Sequence, residues 1–164
     1  MKTLVVGLGN TILTDDGVGI YVAQAAALEW SQRRRSSASA LEEVMFAEAS
    51  VGGLRLLDVI AGYERVVLVD AIQTAEGRPG EIYRLHPDDL LVSLHAGSTH
   101  DLSLPGALAL GRQMSAVLPS DENLVIIAIQ VEDVLTFGEH CTPEIEAAIP
   151  RAVEAVLEEL GREA

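Results

Sequence analysis

Uninterrupted apolar runs at Thr3 to Leu8, Val44 to Ala47, Val66 to Val69 and Leu124 to Ile129 predict strands. The longest are apolar on successive residues, which suits strands buried on both faces of a parallel sheet. Between them lie stretches with helical character: Gly17 to about Arg35, Leu54 to Ala61, about Leu102 to Leu118, and Pro143 to Leu160. The alternation of strand and helix predicts an α/β fold with a doubly wound sheet. Glu81 to Leu85 follows Gly77-Arg-Pro-Gly80 and alternates with a period of two, as a short edge strand does, and its pairing is expected to be antiparallel. His86-Pro-Asp-Asp89 then caps a short helix.

The last helix is introduced by Thr142-Pro143-Glu144, which predicts Thr142 as N-cap with proline in the first turn. Ile145, Ile149, Val153, Val156 and Leu160 recur at helical spacing and predict its core-facing stripe. With no repeat, linker or low-complexity tract, the 164 residues read as one domain over 1–164, large enough to bury a core without staples.

Composition narrows the function classes. Eleven basic against twenty-five acidic residues give a net charge of -14, and Lys2 is the one lysine. Such a surface repels phosphate backbones, so no nucleic-acid partner is expected. The one basic cluster, Arg33-Arg34-Arg35, reads as a solvated helix end. A single cysteine, Cys141, excludes a disulfide framework and is expected to be a small buried residue. No apolar run reaches membrane-spanning length, and the expectation is a cytoplasmic protein without membrane insertion.

Candidate chemistry gathers where the first strand ends. Thr3-Leu-Val-Val-Gly-Leu-Gly-Asn10 opens through glycines into Thr14-Asp-Asp-Gly17. Gly7 and Gly9 suggest a dinucleotide fingerprint, but the third glycine is replaced by Ile12, and aspartates occupy the helix start where a pyrophosphate would sit. Asp15 and Asp16 taken alone read as helix-capping residues. Asp70, closing Val66-Val-Leu-Val-Asp70, adds a second acid at a strand's carboxyl end. His100 lies in the polar loop Gly97-Ser-Thr-His-Asp101, with His95 as its competitor in the same connection. Two carboxylates and an imidazole on one sheet edge make a donor set suited to nickel or zinc. No Gly-x-Ser-x-Gly elbow or other self-contained nucleophile accompanies them.

Gly7-Leu-Gly-Asn10 resembles the opening of peptidyl-tRNA hydrolases, yet no histidine follows near residue twenty, where that family places its catalytic one. A more extensive resemblance joins Gly7-Leu-Gly-Asn10 and Asp15-Asp-Gly17 with Gly52-Gly53, Val69-Asp70-Ala71, Pro79-Gly-Glu81, Thr99-His100 and Ile129-Gln130. Taken together, these segments resemble the [NiFe]-hydrogenase maturation endopeptidases. The resemblance implies a mostly parallel, twisted five-stranded sheet with helices on both faces. It also implies an endopeptidase that removes the C-terminal extension of a hydrogenase large-subunit precursor after nickel insertion. A monomer is expected.

Carried over by position, Asp16, Asp70 and His100 would contact the nickel borne by the precursor, and Asp16 or Asp70 would act in catalysis. The site could also capture adventitious zinc, nickel or cadmium. Many family members carry glutamate where this chain has Asp16, so its carboxylate stands on a shorter arm. Gly52 and Gly53, after the second strand, are expected to let an extended peptide approach. The alternatives are a nickel or precursor chaperone that does not cut and, from the other resemblance, a peptidyl-tRNA hydrolase-like enzyme.

Overall fold

The computed structural model describes residues 1–35, 43–93 and 103–162. Five strands, β1 (Lys2–Leu8), β2 (Glu43–Ala49), β3 (Arg65–Ile72), β4 (Ile82–Leu85) and β5 (Leu124–Gln130), form one sheet in the order β2-β1-β3-β5-β4. All pairings are parallel except β4 with β5. The short period-two segment is therefore the antiparallel edge its alternation predicts.

Strand parity divides the core. Val5, Val67, Val69, Val125 and Ile127 face α1 (Val18–Arg35) and α5 (Pro143–Leu160). Val6, Leu8, Leu68, Ile126 and Ala128 face α2 (Leu54–Ile60) and α4 (Leu104–Gln113), beside which packs α3 (Pro87–Ser93). Because both faces are covered, the middle stretches of the central strands are apolar on successive residues, and that is the pattern read along the chain. Among the described residues no helix is long and apolar enough to cross a membrane.

Two features of the helices differ from expectation. α4 stops at Gln113, short of Leu118, because Ser115 takes a left-handed conformation with φ 62°. The apolar residues beyond it turn toward α2, where the Val117 carbonyl accepts the Gly62 N–H at 2.9 Å. On α5, Ile145, Val153, Val156 and Leu160 are buried as expected and Ala148, Ala152 and Leu157 are buried with them, whereas Ile149 is only half-buried.

Glu159 is buried on α5 as well. It bonds the buried Arg65 of β3 at 2.8 Å and Arg84 of β4 at 2.7 Å. Burial works against its charge, but the two guanidiniums prevail and hold the carboxyl below its ordinary value.

Candidate active site

In this strand order β1 is followed on one side by β2 and on the other by β3, so the winding reverses between β1 and β3. The carboxyl ends of such strands splay into a crevice. Here the crevice is a cleft of about 520 Å³, and Asp16 and Asp70 both line it.

Asp16 comes from the turn after β1. Gly9 holds φ at 135°, a conformation in which a Cβ would collide with the Asp16 carbonyl, so glycine lets the next turn close over the strand end. Residues Thr14–Gly17 form a single 3-10 turn before α1 begins. The Asn10 N–H donates to Asp16 Oδ2 at 2.9 Å, and the Leu13 carbonyl accepts the Asp16 N–H at 2.8 Å. Desolvation raises the Asp16 carboxyl above its ordinary value, opposed by the Asn10 bond.

Asp70 lies in β3, opposite Ala128 of β5. By parity it shares the face of Leu68, against the apolar wall of Leu8, Leu56, Leu104 and Ile126 that also lines the cleft. Burial there pushes its carboxyl up to about 7; the Ala71 N–H, at 2.8 Å, opposes the rise and the negative charge of Asp16 adds to it. A carboxyl titrating near neutrality beside a second carboxyl is the perturbation expected of a functional site. No Lys, Arg or His is among the described residues that line the cleft.

Gly52 and Gly53 line the same cleft, with Ser50 and Asn10. Their roles differ. Gly53 precedes α2 with φ 56° and ψ -137°, which requires glycine at the turn. A Cβ on Gly52 would meet nothing within 4 Å, so its surface is open to whatever enters the cleft.

Asp15 does not cap its own helix. Its fully buried carboxylate accepts the Thr142 N–H at 2.7 Å and the Asp133 N–H at 3.1 Å, tying the first turn to the segment between β5 and α5. Thr142 correspondingly caps α5 only through its carbonyl, which accepts from Ile145 and Glu146; its hydroxyl is given to Asp15. Cys141 is buried, and burial pushes its thiol up to about 12, far from thiolate reactivity. His95 and His100 lie outside the described residues. Within the described residues no group of three or more His, Cys, Asp or Glu side chains is placed to hold a metal.

Comparison with known proteins agrees with this architecture. The family model described as hydrogenase maturation protease (HycI) matches residues 31–159. The hydrogenase 2 maturation protease of Escherichia coli is 27% identical over 159 residues, covering 96% of this chain and 89% of that protein. The hydrogenase expression/formation protein HupD of Thiocapsa roseopersicina is 26% identical, covering 98% of this chain and 68% of the relative. Among solved structures, the hydrogenase maturating endopeptidase HybD from E. coli superposes with a TM-score of 0.73 at 26% identity, over 98% of this chain and 92% of that one. The chain belongs to the hydrogenase maturation protease family.

Proposed function

We propose that this protein is the endopeptidase that removes the C-terminal extension of a [NiFe]-hydrogenase large-subunit precursor, and that Asp16 and Asp70 recognise nickel already bound in that precursor. The observation that carries this reading is electrical. Two carboxyls share a largely apolar cleft with no cationic side chain among its described lining, and one of them is pushed up to about 7 by burial, with the charge of the other adding to the rise. A divalent ion arriving on the substrate would supply the missing positive charge. Oxygen donors of this kind suit a borderline first-row ion when other ligands complete its shell.

In this account the nickel is cargo, held chiefly by the precursor, and the protein contributes part of its surroundings. His100, which the family resemblance implies as the third contact, lies outside the described residues. The cleft would seat the tail along the open face of Gly52, with Ser50 and Asn10 beside it. A substrate-bound metal can polarise the scissile carbonyl or activate water. In either case Asp16 or Asp70 would accept the water's proton, and a carboxyl near 7 suits that role at neutral pH.

Incubating the protein with precursor loaded with nickel, and with the same precursor free of it, tests the reading by mass spectrometry. Loss of a C-terminal fragment only from the loaded form is expected. Tight binding without cleavage would make the protein a chaperone, and equal cleavage of both forms would remove nickel from its recognition.

A further inference from the structure

The segment after β5 displays Leu135 at 84% and Phe137 at 79% exposure. Scattered exposed apolar side chains are ordinary, but these stand on a turn that is held in place. The Asp133 carboxylate accepts the N–H groups of Leu135 at 3.1 Å and Thr136 at 2.9 Å. The Thr14 hydroxyl donates to the Thr136 carbonyl at 2.5 Å. Gly138 donates to the Ile12 carbonyl at 3.0 Å, and its own carbonyl accepts the Thr14 N–H at 3.1 Å. Asp15 accepts from the backbone of Glu132 and Asp133. The segment is thereby laced to residues 12–15, the turn that presents Asp16, and Ile12 in that turn is itself 53% exposed.

We propose that Ile12, Leu135 and Phe137 form a docking ridge for the folded body of the protein whose tail occupies the cleft. This rests on the substrate proposed above and adds where that substrate is gripped. The segment is bonded to the turn that leads to the cleft: Asn10 and Asp16, at the two ends of that turn, line the cleft, and Ile12 lies between them in sequence. A folded protein that inserts its tail at this sheet edge comes over the ridge. An aromatic anchor inside a charged border is how protein interfaces are built. Here the border is acidic, with Glu132 and Glu139 exposed on either side, so the matching surface is an apolar centre with a basic rim. The same charge, with a net -14 on the chain, disfavours an anionic membrane as the occupant.

The test is Phe137→Glu, with Leu28→Glu as control; Leu28 is 63% exposed on α1, outside the ridge. Calorimetry with nickel-free precursor reads docking, and tail release from nickel-loaded precursor reads KM. Phe137→Glu is expected to fold with an unchanged circular dichroism spectrum and to raise both Kd and KM at least about tenfold, whereas Leu28→Glu leaves both at the wild-type value. An unchanged Kd in folded Phe137→Glu overturns the ridge while leaving the protease reading intact. Equal losses in both variants overturn it too, as does a wild-type dimer by sedimentation that Phe137→Glu dissolves. A wild-type protein that binds precursor with Phe137-dependent affinity but never cuts it supports the ridge and defeats the protease reading.

Discussion

Asp15 and Thr142, 127 residues apart in sequence, share three contacts: the Asp15 carboxylate accepts the Thr142 N–H at 2.7 Å and its hydroxyl at 3.0 and 3.1 Å. Asp16, the next residue, instead lines the cleft. Adjacent aspartates thus separate a brace from a candidate catalytic group. Asp15→Asn turns an amide toward backbone donors and is expected to cost about 2–4 kcal/mol, from unsatisfied buried groups. Asp16→Asn is expected to lose processing with little change in Tm. Thermal denaturation of both, beside tail-release rates, checks the division; a stable but inactive Asp15→Asn would reverse it.

Asp70 makes a prediction whose sign follows from its raised carboxyl. Between the ordinary value of 3.8 and about 7 the folded chain binds more protons at this site than the unfolded chain does. Its contribution to stability is therefore full below 3.8 and is lost as pH rises through about 7. Asp70→Asn, which carries no charge, should be more stable than wild type at pH 8 by on the order of 2–4 kcal/mol, the gap closing toward pH 4. The same variant should be inactive. Denaturant midpoints across pH measure the first effect, and an Asp70→Asn protein less stable than wild type at pH 8 contradicts it.

If Asp70 must be ionised to meet the substrate, kcat/KM of the wild type should climb through pH 7, because that ratio reports the free enzyme's essential groups. A profile flat from pH 6 to 8 would sever the link between this carboxyl and activity.

The strand ends were legible because apolar runs terminate where chemistry begins: that of β1 in Gly7 to Asn10, that of β3 at Asp70, although β3 itself runs on to Ile72. That alone placed both acids at carboxyl ends of central strands, and their common cleft follows from the reversal of winding between β1 and β3. Contacts made across long sequence separations were not legible. Nothing near Thr142 shows that its hydroxyl goes to Asp15, and Glu159 looks like a solvated helix residue until Arg65 and Arg84 arrive from β3 and β4. The end of α4 was missed for a related reason, since Ala116 to Leu118 keep an apolar pattern while the backbone turns at Ser115.

The two glycines separate by conformation. Gly53→Ala forces a side chain into φ 56°, and should cost about 1–3 kcal/mol in stability. Gly52→Val meets open space, so it should fold normally and raise KM for the precursor by narrowing the cleft. Unchanged kinetics in a folded Gly52→Val protein would remove that residue from the tail's path.

The pairing of Asp16 and Asp70 as readers of substrate-borne nickel is tested most directly by single-turnover tail release from nickel-loaded precursor, comparing wild type with folded Asp16→Asn and Asp70→Asn. The account predicts that each substitution slows release at least about tenfold, in keeping with the loss of a group that contacts a metal. It also predicts that nickel-free precursor binds all three proteins with equal affinity. Release at the wild-type rate by either variant would contradict it.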